Sequence, residues 1–416
     1  MTESKSRSRS TGGPPGGPPP GAKPVPDAIP HRYLESAEDL ARAVERWRSH
    51  DAVALDTEFV RERTFYPALG LVQVAVDGED GEPEITLVDP VAIDDLSPLA
   101  ALLDDLSVTK VLHSASEDVE VFQHHLGTVP RPLFDTQIAA GFGGLRASMG
   151  LARLVDAILD LHLPKGETRS NWLRRPLRPA QRHYAALDVA YLLDIHRRLR
   201  ARLDDFGRAA WVAEDTAAMV APERFATAAD GSLHPALWHK LGRGARPPLD
   251  PRRLAALREL VEWRERRARD RDLPRGFVLA DGDLTPLARV LPTSRSALQK
   301  VRGIDHRKVL RHGDGVLAAI ERAMALPTAA LPEPMRPGID LSGHKKLVER
   351  LRRRVRRIAT DLGLEPELLA TRRTVERLTR RHIEAETPVL PRELRGWRAA
   401  VVGEPLIEEL SRSASI

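Results

Sequence analysis

Ala52-Val53-Ala54-Leu55-Asp56-Thr57-Glu58-Phe59 is an apolar run broken by two acids two positions apart. A short apolar segment of this kind reads as a buried strand. Side chains at i and i+2 of a strand leave from the same face, so Asp56 and Glu58 point together. Two ionised acids held side by side in an apolar setting lose solvation and repel each other. A divalent cation removes that cost, and hard carboxylate oxygens suit Mg²⁺ or Mn²⁺.

Working outward, Val108-Thr109-Lys110-Val111-Leu112-His113 reads as a short strand, and Ser114 with Glu117 has the spacing of a capping box that opens the next helix. Glu117 is then a cap, and Asp118 is free to face the strand pair. Further on, Tyr184 and Asp188 are four apart in the helical pattern 181–193, so they share a face. Singly, each motif has a bland reading: a solvated strand-edge acid, a first-turn acid for the helix dipole, an amphipathic surface. In this order they form a set that can hold two cations ~3.5–4 Å apart, a geometry that serves in-line displacement at phosphorus.

The three segments resemble the exonuclease motifs of the DEDD 3′→5′ exonucleases, in the subclass with tyrosine in the third motif. The strings Asp56-Thr57-Glu58-Phe59-Val60-Arg61 through Tyr66-Pro67-Ala68-Leu69-Gly70-Leu71-Val72-Gln73, Leu112-His113-Ser114-Ala115-Ser116-Glu117-Asp118-Val119-Glu120-Val121-Phe122 and Ser170-Asn171-Trp172-Leu173-Arg174-Arg175-Pro176-Leu177 resemble the bacterial ribonuclease D family in particular. The similarity runs from about residue 32 to the end. It implies that Asp56, Glu58, Asp118 and Asp188 bind two divalent cations, Mg²⁺ or Mn²⁺, and that Tyr184 orients the attacking water. It implies too that Glu58 accepts a hydrogen bond from the terminal 3′-hydroxyl. The implied activity is two-metal 3′→5′ exoribonuclease, releasing nucleoside 5′-monophosphates from RNA with a free 3′ end, tRNA precursors among them.

Residues 1–30 are Ser/Arg-rich and then Gly/Pro-rich, and are expected to form a disordered tail. A helix over Ala37–Trp47 precedes three closely spaced strands, Ala52–Phe59, Leu69–Val76 and Glu84–Val88. Strand–helix alternation then continues through Val108–His113 and Leu133-Phe134, and helices run to about Leu203. This pattern gives a mixed sheet with helices on both faces. It is compatible with an α/β ribonuclease H-like exonuclease domain, which the resemblance implies outright, over residues 31–210. A connecting segment is expected at 211–240. Two all-α modules follow, at 241–325 and 340–412, with a stiff Pro-rich linker at 326–339. Asp250 caps the first module and Pro251 takes its first helical position. The modules share a basic amphipathic helix, a Pro-bearing loop (Pro274; Pro366), a leucine (Leu279; Leu369) and a further helix, and they resemble helicase-and-ribonuclease-D C-terminal (HRDC) domains.

Composition narrows the class. The chain has 416 residues and no cysteine, which excludes disulfides, zinc–thiolate sites and thiol nucleophiles. No apolar stretch reaches the ~20 residues needed to cross a bilayer, and the N-terminus has no signal-peptide core, so a cytoplasmic protein is expected. The 64 basic residues nearly match 59 acidic ones, giving a formal charge of only +5. Clustering such as Arg350-Leu351-Arg352-Arg353-Arg354-Val355-Arg356-Arg357 suits a polyanionic partner, and equally suits solvated helix faces.

Candidate RNA contacts lie in the segment 165–175, where Lys165, Arg169 and Arg174 flank Trp172. It reads either as a strand-binding surface or as a basic loop over a buried tryptophan. Gln73 and His113 adjoin the motifs as pocket-lining or packing groups. Two other functions fit the same residues: a 3′→5′ DNA exonuclease, disfavoured by the lack of a polymerase or helicase region, and a non-catalytic RNA-binding scaffold, disfavoured by the presence of all five site residues.

Overall fold

The computed structural model describes residues 23–164, 166–167, 170–225, 236–335, 341–384 and 389–412. Its strands are β1 (Lys23–Pro24), β2 (Arg32–Leu34), β3 (Ala52–Val60), β4 (Ala68–Asp77), β5 (Pro83–Val88), β6 (Thr109–Leu112), β7 (Leu133–Asp135) and β8 (Leu161–His162). Six of them form one mixed sheet in the order β2-β5-β4-β3-β6-β7. The β3–β4–β5 meander is antiparallel, and β2, β6 and β7 join in parallel.

Residue alternation along β3 sorts the two faces. Val53 and Leu55 pack with helices α1 (Ala37–Trp47), α2 (Ser97–Asp104) and α3 (Ser116–Leu126). Ala54 packs on the opposite face, where α4 (Thr136–Phe142), α5 (Leu151–Leu159), α6 (Pro179–Ala190), α7 (Leu192–Asp205) and α8 (Ala209–Met219) lie. Helix α1 begins where the Ser36 side chain accepts the Asp39 N–H at 3.2 Å, and it buries Leu40, Ala43, Val44 and Trp47 on one stripe. Complete burial of each large apolar side chain contributes about 1.5–3 kcal/mol, which is how the sheet comes to be covered on both sides.

The first helical module comprises α9 (Ala236–Gly244), α10 (Pro251–Asp270), α11 (Arg275–Val278), α12 (Asp281–Val290), α13 (Arg295–Gln299), α14 (His306–Arg311) and α15 (Gly313–Ala325). It has a core of its own. Asp250 caps α10 by accepting the Arg253 N–H at 2.9 Å. The second comprises α16 (Lys345–Leu362), α17 (Pro366–Leu369), α18 (Arg372–Glu384) and α19 (Glu404–Ser411). The repeated pattern has a structural counterpart: α10–α11–α12 and α16–α17–α18 each include a short helix with a proline at its start, Pro274 as the N-cap of α11 and Pro366 as the first residue of α17, and bury the leucine at its end, Leu279 or Leu369.

The modules attach differently. The second shares one apolar cluster with the sheet domain, in which Leu351, Val355, Leu378 and Leu406 join Phe142, Leu199 and Val212. Trp211 and Trp397 stack with centroids 4.3 Å apart, and Arg398 clasps Asp215 with bonds of 2.6 and 2.7 Å. The first module grips the β3–β4 loop: Asp272 accepts the N–H groups of Phe65 and Tyr66 at 2.9 and 3.0 Å, and Arg269 and Arg275 lie over the Phe65 ring.

Three expectations are corrected. The expected tail ends earlier: β1 pairs in parallel with β8, and Val25 and Ile29 pack on the core, because these apolar residues within 23–30 have a surface to cover. Residues 1–22 lie outside the described residues. The connecting segment 211–240 contains most of α8, whose Val212 lies in the core of the sheet domain, and the first turns of α9, whose Trp238 lies in that of the first module. Finally, Ser114 and Glu117 form no capping box. Ser114 takes φ 60°, α3 begins at Ser116 without a side-chain cap, and the orphan N–H groups before it go elsewhere.

Candidate active site

Those N–H groups go to Asp135. Its carboxylate, 1% exposed, accepts Ser114 N–H (3.1 Å) and Ala115 N–H (2.9 Å) from the β6–α3 turn, together with Gln137 N–H (2.8 Å) and Ile138 N–H (3.3 Å) at the start of α4. One carboxylate therefore caps α4 and fixes the turn from which α3 projects Asp118. The signal was present in Leu133-Phe134-Asp135-Thr136, an acid directly between a strand and a helix, and sequence reasoning passed over it.

The four acids converge. On β3, Asp56 stands opposite Gln73 of β4, on the face that carries α6. Helix α6 brings Tyr184 and Asp188, one turn apart and close enough for each to shift the other's ionisation. Helix α3 packs on the other face and delivers Asp118 from its first turn. Thr57, between the two strand acids, donates its hydroxyl hydrogen bond to Asp118 Oδ1. Burial, then the charges of Asp118, Asp188 and Glu58, hold Asp56 protonated well above the usual carboxylate range. Burial followed by Asp188 and Asp118 pushes Glu58 up to about 9. Burial likewise lifts Asp188 to about 8 and Asp118 to about 6. Tyr184 rises above its ordinary value through burial and the neighbouring acids. Among the described residues no arginine or lysine ranks among the main groups acting on these four acids.

Among the described residues no group of three or more His, Asp or Glu side chains stands close enough to hold a metal ion; the four acids are near enough to raise one another's pKa. The donor set still fits hard divalent cations, being all carboxylate, half-buried or buried, and without an ion-pair partner among the described residues.

The residues around the acids divide. Gln73 is fully buried next to Asp56 with neither amide atom hydrogen-bonded, and His113 bonds Thr136 Oγ1 through Nδ1 at 2.9 Å while Nε2 has no partner. Burial lowers the His113 pKa, favouring the neutral ring. Of the two readings of Trp172 the buried one holds and the RNA platform does not: the ring is 2% exposed, packed at Gly70 and 6.2 Å from the Tyr184 ring, because the loop folds inward over the sheet. Arg174 is exposed. Lys165 and Arg169 lie outside the described residues. The inward fold is pinned by Arg175, which donates to buried Asp89, to Trp172 O (2.7 Å) and to Gly70 O (2.6 Å). Tyr33 donates to the same Asp89 at 2.6 Å. The Gly166 backbone in this loop lies directly on the Tyr184 ring.

Comparison with known proteins identifies the domains in the same order along the chain. A family model described as 3′-5′ exonuclease matches residues 31–204, an HRDC domain model residues 253–320, and a model described as the ribonuclease D C-terminal HRDC domain residues 342–406. Ribonuclease D of Pseudomonas paraeruginosa is 41% identical over 91% of this chain and 97% of its own length. Ribonuclease D of Escherichia coli is 38% identical over 90% of this chain and 97% of its own. The crystal structure of Escherichia coli RNase D, described as an exoribonuclease involved in structured RNA processing, superposes with a TM-score of 0.81 at 36% identity, covering 92% of this chain and 99% of that one.

Proposed function

The chain belongs to the ribonuclease D family and is a 3′→5′ exoribonuclease acting on structured RNA; from that premise we propose that it trims the 3′ ends of tRNA precursors and similar small RNAs, releasing nucleoside 5′-monophosphates. The observation that carries the proposal is the cluster of Asp56, Glu58, Asp118 and Asp188, withdrawn from solvent and raising one another's pKa. These four hold two divalent cations, Mg²⁺ or Mn²⁺. When bound, the cations supply activation of the attacking water and stabilise charge developing on the leaving 3′-oxygen.

The remaining work falls to side chains. The Tyr184 phenol stays protonated beside Asp188. Its oxygen lone pairs accept from the attacking water and hold it in line, a positioning role. The Gly166 loop fixes the ring in place. Glu58 accepts a hydrogen bond from the terminal 3′-hydroxyl, which restricts cutting to a free end. Gln73 and His113 line the pocket with unspent hydrogen-bonding atoms. Residues 31–210 carry the chemistry, and the modules at 241–325 and 340–412 hold the body of the RNA. No helix among the described residues is long and apolar enough to cross a membrane.

The test is digestion of matched RNA and DNA oligonucleotides labelled at the 5′ end, with Mg²⁺ or with EDTA. The wild type should shorten RNA stepwise from the 3′ end in Mg²⁺, and EDTA should stop it. Asp56→Asn should abolish trimming while RNA binding persists; equal activity in the variant would remove the assignment.

A further inference from the structure

Asp89 follows the last residue of β5, and its carboxylate has no exposure to solvent. It accepts from Arg175 Nε and Nη2, each at 2.5 Å, from the Tyr33 hydroxyl at 2.6 Å and from Val91 N–H at 2.9 Å. Burial alone would lift its pKa, but the bonds from Arg175, Tyr33 and Val91 outweigh that and hold it below the ordinary carboxylate range. It is therefore ionised. A buried ion pair contributes little net stability, because desolvation offsets the attraction. What two parallel bonds to one guanidinium do supply is a fixed direction. The question is what this pair directs.

Two routes lead from Asp89 to α6. The first runs through the loop 170–176. Arg175 also donates to Trp172 O at 2.7 Å and to Gly70 O at 2.6 Å. Gly70 has no room for a β-carbon, since Trp172 O and Cβ stand 2.7 and 2.8 Å from where it would lie. Arg175 thus seats the tryptophan directly on β4. The Trp172 ring then meets the Tyr184 ring at 6.2 Å between centroids, within the range of aromatic contact. The second route runs through the edge strand β2. Tyr33, whose hydroxyl Asp89 holds, lies under the Arg182 guanidinium, 4.1 Å from its ring centroid. Arg182 is on α6, two residues before Tyr184. Its buried Nε makes no hydrogen bond, which leaves the stacked ring to locate it. Both routes end at the turn of α6 that carries Tyr184, and neither passes through any of the four clustered acids.

We propose that Asp89 is a positioning residue for Tyr184: through Arg175 and Trp172 on one side, and Tyr33 and Arg182 on the other, it sets where the tyrosine ring stands. The catalytic consequence rests on the role given to Tyr184 above; the placement of the ring does not. Full-length protein labelled with fluorotyrosine carries four reporter rings, and Tyr184→Phe identifies the Tyr184 line in a fluorine NMR spectrum recorded in EDTA. Arg175→Lys keeps the charge but cannot bond Asp89 in two places, and Tyr33→Phe removes one hydroxyl. Both should shift or broaden the Tyr184 line and leave that of Tyr66 in place. In Mg²⁺, single-turnover trimming of 5′-labelled RNA should slow about tenfold for Arg175→Lys and less for Tyr33→Phe. The protein concentration giving half the maximal rate should not change. Arg197→Lys, which loosens the pair with Asp77 at the exposed end of β4, should alter neither the line nor the rate. Thermal melting checks that each variant is folded; if Arg175→Lys is not, Tyr33→Phe carries the test alone. A Tyr184 line that stays put in the folded variants, or that Arg197→Lys moves equally, overturns the proposal. A line that moves with no change in rate overturns the role of Tyr184, and with it the catalytic consequence of Asp89.

Discussion

The main chain of Gly166 rests against the ring of Tyr184, so closely that a methyl group on Gly166 would overlap the ring carbons. The tyrosine is thereby clamped between its own helix and a loop. Gly166→Ala should push the ring off its position and lower kcat by about ten- to a hundredfold, the penalty for misplacing a positioning group by roughly an ångström. KM should change little. Single-turnover trimming of labelled RNA measures it, and an unaltered rate would show that the ring position is unimportant.

Tyr184→Phe should cost a similar factor in kcat with the pH profile unchanged in shape. The phenol is raised above its ordinary value by burial and by the nearby acids, so it does not ionise in the working range and does not act as a base. A limb of the wild-type profile that disappears in the variant would contradict this.

The acid cluster makes stability depend on pH and metal together. Glu58 near 9, Asp188 near 8 and Asp118 near 6 sit above the ~4 of an unfolded carboxyl. Between these limits the folded protein binds more protons than the unfolded one, so stability falls as pH rises. The melting temperature of metal-free protein should therefore decline from about pH 5 to pH 9. Mg²⁺ should reverse the decline, with most effect at the alkaline end and with proton release on binding. Asp188→Asn should flatten the curve.

Asp135→Ala leaves four main-chain N–H groups without their acceptor. At about 1–3 kcal/mol for a buried unpaired group, partly relieved by relaxation, a loss of about 3 kcal/mol in urea unfolding is expected. Apparent Mg²⁺ affinity should drop as well, because α3 carries Asp118 from this turn. Asp135→Asn, which keeps one acceptor oxygen, should fall between.

Asp272→Ala removes the acceptor for Phe65 and Tyr66 N–H. Hydrogen exchange at those two amides should accelerate by at least tenfold, with exchange in β5 and α1 unchanged. Protection that persists would mean the Arg269 and Arg275 contacts with the Phe65 ring hold the loop alone.

The legible parts of this protein were those written in local pattern. The strand around Asp56, the Asp250–Pro251 helix start and the Tyr184–Asp188 face follow from short-range periodicity, and each is found within a residue or two of its expected place. What escaped were partnerships between distant segments. Asp135 caps a turn about 20 positions away, Arg175 ties its loop to Asp89, and Val25 and Ile29 find a surface only after β8 exists. The two open readings of Trp172 have the same origin, since cations beside an aromatic look alike whether the ring faces water or the sheet; the structure takes the buried one.

The merged core of the catalytic and last helical regions has a genetic corollary. A nonsense codon ahead of α16 would strip Phe142, Trp211 and Val212 of their cover, so such an allele should behave as a lesion in the nuclease itself, prone to aggregation and degradation. The first helical region, with its separate interior, is the piece evolution could exchange between relatives.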